Sequence, residues 1–317
     1  MDIFLNALVL IAGLILVIKG ADFLVDGASS LAVKLGVPQI VIGLTIVAFG
    51  TSMPELVVNL SASFEGKSEI VLGNILGSCI YNILLILGIA AIITPLPIKS
   101  STKWKEIPMA LASVILLFVL ANTGFTKDLF VTRLESIILL VGFALFMWYT
   151  IHLTINDNTI SEEESKYNSF ISILLIILGL VLLMVGGKFT VNGAVNIAKT
   201  LNVSEKLIAL TIVSVGTSLP ELATSAVAAY KKQADIAVGN VIGSNIFNIL
   251  LVLGLSSVAS PIAYPAILNM DMFVLMIATL FLFAVTFIKK KNVVGRPAGI
   301  ILVISAVVYT VYLIFRG

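Results

Sequence analysis

Ten long apolar runs, separated by short polar segments, set the pattern of this chain. A helix needs about 20 mostly apolar residues to cross the hydrocarbon core of a bilayer. The runs predict ten transmembrane helices, at 3–33, 38–64, 69–94, 105–123, 130–154, 169–199, 204–230, 235–260, 267–288 and 297–315. The first run lacks the basic start and the small-residue cleavage site of a secretory signal, so we expect it to remain as a span.

The apolar pattern occurs twice along the chain. A shift of 166 residues places 14–98 over 180–264 without a gap. Between 44 and 56, 10 of 13 positions are identical to their partners, and between 73 and 88, 11 of 16 are identical. Each copy carries five predicted spans. Because five is an odd number, the second copy must enter the membrane from the opposite side, and such an inverted repeat is typical of secondary transporters.

The repeat defines the domain organisation. We predict a first five-helix repeat at 1–155 with a motif at 43–89, a polar acidic linker at 156–168, and a second, inverted five-helix repeat at 169–317 with a motif at 209–255. With the N-terminus outside, the predicted cytoplasmic side carries 11 Lys and Arg residues and the outer side carries 6. The excess of positive charge inside favours an N-out, C-out orientation.

Composition agrees with a membrane protein. Of the 317 residues, 59% are hydrophobic and 11% are charged, whereas soluble domains carry about 25% charged residues. We expect an all-α, multi-pass protein of the cell membrane, in contact with the lipid bilayer and with no obligatory protein partner evident. The net charge of +2 gives no indication of a nucleic-acid partner. The single cysteine, Cys79, excludes an internal disulfide and a Cys-rich metal site.

Two glutamates, Glu55 and Glu221, lie inside apolar runs at equivalent positions of the two copies. A carboxylate at membrane depth costs roughly 2.5–3.5 kcal/mol on insertion scales, so such a residue indicates a functional site. Pro54 and Pro220 directly precede the glutamates, and each proline interrupts the hydrogen bonding of its helix. No basic residue lies within about two turns on either helix, which argues against a buried ion pair.

Hydroxyl and amide side chains accompany each glutamate. Thr51 and Glu55 are four residues apart and therefore share a helix face, as do Ser78 and Asn82. The second copy places Thr217, Ser218, Glu221, Ser244 and Asn248 at the matching positions. Carboxylate, hydroxyl and amide oxygens suit hard cations such as Ca²⁺ and Na⁺. Two glutamates balance the charge of one Ca²⁺ or two Na⁺, so the two ions should exclude each other, which is the physical basis of exchange.

Other polar residues have simpler interpretations. Asn74 and Asn240 follow glycines, which favours capping or helix-breaking roles. Lys19 is expected to snorkel or to pair with a carboxylate such as Asp22, one turn further along its helix. The acidic run Glu162–Glu164 is interpreted as a solvated turn of the linker rather than as a calcium site, which would need oxygens arranged around a folded loop.

The repeated blocks closely resemble the sodium/calcium exchanger branch of the calcium/cation antiporter superfamily, in its compact prokaryotic form. The motifs that carry the resemblance are Gly50-Thr-Ser-Met-Pro-Glu55 with Gly73-Asn and Asn82, and Gly216-Thr-Ser-Leu-Pro-Glu221 with Gly239-Asn and Asn248. The resemblance covers nearly the whole chain. It implies a secondary active antiporter that exchanges Na⁺ for Ca²⁺ by alternating access, with no cofactor and no enzymatic activity.

The resemblance also implies which residues bind the transported ions. Glu55 and Glu221 would bridge the central Ca²⁺ position and the neighbouring Na⁺ positions. The other implied ligands are Thr51 and Thr217 for Ca²⁺; Ser52, Ser78 and the Ala48 carbonyl for one flanking Na⁺; Ser218, Ser244 and the Ser214 carbonyl for the other; and Asn82 and Asn248 in the middle. The second, third, seventh and eighth spans would surround these ions, and the first and sixth would slide across them.

Some transport alternatives remain open from the sequence. Certain family members, including potassium-dependent ones, carry aspartate at the position of Asn248, so asparagine argues against K⁺ co-transport. A Ca²⁺/H⁺ antiporter could use the same two glutamates as proton carriers, and a K⁺-dependent Na⁺/Ca²⁺ antiporter or a cation channel would need similar oxygen ligands. An enzyme is not expected, because no nucleophile–base pair or His-rich zinc motif lies near the repeats.

Overall fold

The computed structural model describes residues 3–123, 129–156, 165–201, 214–288 and 292–316. Almost all of these residues are helical, as the apolar runs predict. The helices in chain order are α1 (Ile3–Leu35), α2 (Gln39–Thr51), α3 (Met53–Phe64), α4 (Ser68–Ile93), α5 (Thr102–Asn122), α6 (Arg133–Asn156), α7 (Ser169–Thr200), α8 (Ser214–Thr217), α9 (Leu219–Tyr230), α10 (Ala234–Ala259), α11 (Ala266–Ile288) and α12 (Arg296–Arg316).

Eight of the described helices are long and apolar enough to cross a membrane. Helices α2 and α3 meet at a bend of 47° and together give a ninth candidate span. The predicted span at 204–230 is described only from Ser214 onward, as α8 and α9. The expected acidic turn at Glu162–Glu164 lies outside the described residues. The fold is therefore that of a mostly helical, multi-pass membrane protein, and the number of ten spans stays a prediction.

Glycines let α1 and α7 pack closely along much of their length. A Cβ atom added at Gly13 would lie 2.8 Å from the carbonyl oxygen of Gly186, and one added at Gly20 would lie 2.8 Å from that of Gly179. Because the contacts advance along α1 while they retreat along α7, the two helices are antiparallel. Small residues allow such close backbone contact between membrane helices, so this pair forms one tightly packed layer of the molecule.

Helices α4 and α10 lie at the centre of the protein. In their most apolar segments, 78% of the α4 residues and 94% of the α10 residues are buried, against 22% in α1 and α12. Each central helix contains a π-helical turn, Asn82–Leu87 in α4 and Phe247–Val252 in α10. Such turns disturb the regular backbone hydrogen bonding and frequently mark functional sites. The turns therefore bring irregular backbone into the middle of the bundle.

Four two-residue strands connect the two halves of the chain, by which we mean 3–156 and 165–316. They are β1 (Leu96–Pro97), β2 (Phe130–Val131), β3 (Ile262–Ala263) and β4 (Val293–Val294). Strand β1 pairs antiparallel with β4, and β2 pairs antiparallel with β3. Each small sheet thus joins one half of the chain to the other through antiparallel strand pairing.

An ion-pair cluster ties α1 to the second half. Lys231, which directly follows α9, lies 2.5 Å from a carboxylate oxygen of Asp22 and 2.6 Å from one of Asp26. The sequence suggested Lys19 as a partner for Asp22, but the structure gives it this lysine from the other half. Lys166 also bonds Asp26, at 2.8 Å, and this hydrogen bond raises the pKa of Lys166.

Candidate cation site

Each candidate glutamate lies in the first turn of a helix that begins after a break. Ser52 separates α2 from α3 with backbone angles of φ −85° and ψ 3°, and Ser218 separates α8 from α9 with φ −88° and ψ 7°. The prolines Pro54 and Pro220 lie in the first helical turns, where their missing N–H groups cost little. The breaks therefore place both carboxylates at helix N-termini, whose dipoles favour negative charge.

Both carboxylates are buried, with 0% of Glu55 and 1% of Glu221 exposed. Neither forms an ion pair with a lysine or arginine among the residues that the structure describes. Both carboxylate oxygens of Glu55 and Oε2 of Glu221 also have no hydrogen-bond partner among the described residues. Burying an ionised carboxylate without a partner is strongly unfavourable, so this arrangement suits a site that binds cations.

The surroundings of Glu55 come from both halves of the chain. The side chains of Ser78 on α4 and Thr217 on α8 lie beside its carboxylate. The hydroxyl of Ser218 points toward that of Ser78, with 3.4 Å between the two oxygens. Neutral hydroxyl oxygens thus lie beside the first glutamate, and one of them, from Thr217, belongs to the segment that precedes the second glutamate.

The surroundings of Glu221 resemble those of Glu55 but contain more hydrogen bonds. The Ser52 hydroxyl donates to Glu221 Oε1 at 3.2 Å. Thr51 donates to the side-chain oxygen of Asn240 at 3.0 Å, and the Asn240 amide donates to the backbone carbonyl of Glu221 at 3.3 Å and to Ser225 at 3.0 Å. Asn240 therefore fixes the Thr51 hydroxyl against α9, a role that the expectation of a cap or helix breaker did not include.

Two asparagines complete the buried polar region. Asn82 and Asn248 begin or enter the π turns of α4 and α10, and 1% and 0% of their surfaces are exposed. Oδ1 of Asn82, both amide atoms of Asn248 and the hydroxyl of Ser244 have no hydrogen-bond partner among the described residues. These groups are neutral donors and acceptors that remain available inside the protein.

The resemblance also implies two backbone carbonyl ligands, those of Ala48 and Ser214. The Ala48 carbonyl accepts the backbone N–H of Ser52 at 3.0 Å, and its oxygen lies 3.3 Å from the Thr51 hydroxyl oxygen. Ser214 is the first described residue of α8, and its side chain lies outside the described part of the structure. A carbonyl oxygen carries two lone pairs, and one of those on Ala48 is taken by the Ser52 N–H, while the Thr51 proton is donated at the shorter distance to Asn240.

The two equivalent threonines, Thr51 and Thr217, differ in their exposure. A cavity of about 460 Å³ is lined by Asn74 and Thr217 and also by the charged residues Glu69, Asp271 and Arg316. Thr217 is partly exposed there. The equivalent residue Thr51 has 0% of its surface exposed. The cavity therefore borders the polar region at Thr217, whereas the equivalent Thr51 is buried.

The donor set determines what the region can bind. No group of three or more His, Cys, Asp and Glu side chains forms a metal cluster within the described ranges. The region instead combines two carboxylates with hydroxyl and amide oxygens. Such ligands suit Ca²⁺ and Na⁺ better than transition metals, which prefer imidazole and thiolate. The residues therefore fit hard cations.

Comparison with known proteins agrees with this chemistry. The family model described as sodium/calcium exchanger protein matches residues 5–152 and 171–315. The putative antiporter CaxA of Alkalimonas amylolytica is 38% identical over 97% of this chain and 98% of its own length. The sodium/calcium exchanger MaX1 of Methanosarcina acetivorans is 33% identical over 98% of this chain and 99% of its own.

Solved structures agree as well. The sodium-calcium exchanger NCX_Mj, soaked without Na⁺ and Ca²⁺, superposes with a TM-score of 0.85 at 33% identity, covering 98% of this chain and 100% of that one. The prediction of an exchanger of the compact prokaryotic type is thereby confirmed, as is that of a multi-pass protein of the cell membrane. The chain belongs to the sodium/calcium exchanger family, whose members are membrane cation antiporters rather than enzymes.

Proposed function

We propose that this protein exchanges Na⁺ for Ca²⁺ across the cell membrane by alternating access. The observation that carries the proposal is the burial of Glu55 and Glu221 with three carboxylate oxygens that have no hydrogen-bond partner among the described residues. The carboxylates also interact electrostatically with each other. Two like charges in a buried region favour the binding of cations, because each bound ion relieves both the repulsion and the lost hydration.

Charge explains why the two ions compete. Two ionised glutamates carry −2, which one Ca²⁺ or two Na⁺ neutralises. Both ions would draw on the same two carboxylates, so a site loaded with Ca²⁺ excludes the Na⁺ pair. A transporter that changes its access only when the central charge is neutralised would then couple the opposite movements of the two ions.

The proposed ligands follow the two halves. Thr51 and Thr217 would supply oxygens to Ca²⁺ together with the glutamates. One flanking Na⁺ site would use Ser52, Ser78 and the Ala48 carbonyl, and the other would use Ser218, Ser244 and the Ser214 carbonyl. The proximity of Ser78 to Glu55 and of Ser52 to Glu221 supports this assignment. Asn82 and Asn248 would face the ions from the middle.

We also propose the inverted architecture that alternating access needs. Its parts are a five-helix repeat at 1–155, a linker at 156–168 and an inverted five-helix repeat at 169–317, with both termini outside. The antiparallel packing of α1 against α7 supports an inverted relation. So does the pairing of each short strand with one from the other half.

Alternating access accounts for the one-sided cavity. In the proposed orientation, Glu69 and Arg316 lie at the outer ends of their helices, so the cavity that reaches Thr217 opens outward. Access from inside would require Thr51 to leave Asn240. We propose that α1 and α7, packed as one layer, slide across the central helices to close one route and open the other.

The proposal is tested with purified protein in Na⁺-loaded vesicles. Uptake of radioactive Ca²⁺ should follow an outward Na⁺ gradient and should stop when Na⁺ is equal on both sides. Uptake driven by a pH gradient without Na⁺ would instead indicate a Ca²⁺/H⁺ antiporter, and a requirement for K⁺ would indicate a K⁺-dependent one. Ca²⁺ flux without any counter-ion would indicate a channel and refute exchange.

A further inference from the structure

Asn245 and Cys79 occupy equivalent positions of the two repeats, 166 residues apart, and they touch each other. The Asn245 amide nitrogen donates to the Cys79 backbone carbonyl at 3.1 Å, and the Cys79 thiol lies 3.8 Å from the Asn245 carbonyl. Both residues are fully buried, with 2% of Asn245 and 0% of Cys79 exposed. The contact therefore lies where the two central helices α4 and α10 cross.

The Cys79 carbonyl determines which way the Asn245 amide is turned. A backbone carbonyl can only accept hydrogen bonds, so the side-chain NH₂ of Asn245 must face it. The opposite atom, Oδ1, then faces Asn82, and Asn82 Nδ2 donates to it at 2.9 Å. Because Asn245 presents an acceptor there, the Asn82 amide is held with its NH₂ group toward Asn245.

The fixed amide leaves one atom of Asn82 free. Its Oδ1 is buried and has no hydrogen-bond partner in the described part of the chain. Asn82 follows Ser78 by four residues and shares its helix face, and Ser78 lies beside Glu55. Two successive hydrogen bonds thus hold an oxygen, rather than an NH₂ group, on the face that carries the first glutamate's neighbours.

The other repeat lacks this arrangement. The residue that could orient Asn248 is Cys79, and a thiol is a weak hydrogen-bond donor and acceptor. Asn248 lies beside that thiol, but neither of its amide atoms has a hydrogen-bond partner among the described residues. The two amides, which the sequence treats as equivalent, therefore differ: Asn82 is oriented by a hydrogen bond, and Asn248 has no such bond among the described residues.

We propose that Asn245 is a positioning residue that holds the Asn82 oxygen toward the bound cation. The inference rests on the proposed function for the identity of the ion. A flipped Asn82 would direct N–H groups at a positive charge, which is unfavourable, and without the Cys79–Asn245 bond the amide would not be held in the binding orientation before the cation arrives. Groups that orient metal ligands typically change affinity about 10–100-fold when they are removed.

The test measures Ca²⁺ binding to purified protein by calorimetry, separately from transport. Asn245→Leu removes both hydrogen bonds at similar volume, and Asn245→Cys introduces the residue that the same crossing already accepts at position 79. We expect both variants to bind Ca²⁺ about 10–100-fold more weakly. Cys79→Ala, at the equivalent position, is the matched control and should bind Ca²⁺ as the wild type does. Size-exclusion chromatography reports folding.

A second background distinguishes positioning from a general packing effect. An aspartate at position 82 presents an oxygen in either orientation, so in Asn82→Asp protein the change Asn245→Cys should no longer weaken Ca²⁺ binding. Equal weakening in both backgrounds, or wild-type binding by Asn245→Cys, would overturn the inference. Ca²⁺ binding by the wild type without Na⁺-coupled flux would refute exchange alone, since the binding comparison does not depend on transport.

Discussion

The hydroxyl of Ser52, in the first half of the chain, donates a 3.2 Å hydrogen bond to Oε1 of Glu221, in the second half. The two residues are 169 positions apart in the sequence. Both lie where a helix is interrupted, Ser52 at the break itself and Glu221 in the first turn after the equivalent break. Each half therefore helps to build the surroundings of the other half's carboxylate, and neither half could form the region alone.

The carboxylate charges should be essential. Glu55→Gln and Glu221→Gln keep the side-chain size but remove one of two negative charges, so Na⁺-driven Ca²⁺ uptake should fall to the level of empty vesicles. The control is Glu65→Gln, because Glu65 is exposed and pairs with Lys67 at the surface, where ion pairs contribute little. Full uptake by either buried variant, with normal elution in size-exclusion chromatography, would contradict the proposed site.

The hydrogen bond between the halves should affect ion affinity. Ser52→Ala removes a proposed Na⁺ ligand and a donor to a charged group, and such a bond contributes about 1.5 kcal/mol, or about tenfold in affinity. The Na⁺ concentration for half-maximal exchange should rise accordingly. Ser61→Ala, on the exposed face of α3, is the control and should leave it unchanged. An unaltered Na⁺ dependence in Ser52→Ala would exclude Ser52 as a ligand.

Acidic pH should inhibit exchange, because a protonated glutamate loses the charge that binds the cation. Protons and Ca²⁺ would then compete for the same oxygens. The measurement is the pH dependence of Ca²⁺ uptake at two Ca²⁺ concentrations, with Na⁺ held constant. Raising Ca²⁺ should move the inhibition to lower pH. A pH profile that does not shift with Ca²⁺ would argue against binding by ionised carboxylates.

A third carboxylate should change the ion selectivity. Asn248 is buried and has two amide atoms without hydrogen-bond partners in the described part of the chain. Asn248→Asp would raise the central charge from −2 to −3, so neutralisation would need an additional monovalent cation. We expect exchange that is stimulated by K⁺ or that is inhibited by protons at higher pH than in the wild type. Identical K⁺ and pH responses would show that this position does not select ions.

Close packing of α1 on α7 should be required for stability and transport. A Cβ at Gly20 would lie 2.8 Å from the Gly179 carbonyl oxygen, and backbone atoms cannot move aside cheaply. Gly20→Ala should therefore lower the thermal unfolding temperature and the exchange rate. A Cβ added at Gly187, on the same helix pair, would meet no atom within 4 Å, so Gly187→Ala should keep the unfolding temperature and the exchange rate of the wild type. Equal behaviour of the two variants would mean that the close contact has no role.

The amino-acid sequence by itself determines most of the helical fold. A backbone in lipid must satisfy its own hydrogen bonds, so each long apolar run specifies a helix, and the helix bounds that the structure describes follow the predicted ones within a few residues. The prolines at 54 and 220 and the duplicated motifs located the two helix breaks. Because carboxylates are rare and costly in apolar runs, the glutamates stood out without any structural information.

Only the tertiary structure decided which groups meet. Hydrogen bonds between the halves join residues far apart in the sequence, such as Asn82 with Asn245, 163 positions apart, and Thr51 with Asn240, 189 positions apart, and no local pattern records such pairings. The same holds for Asp22, whose partner is Lys231 rather than a neighbour on its own helix. A repeat in sequence implies equivalent surroundings, but packing places each residue against different neighbours, so Asn82 is oriented and Asn248 is not.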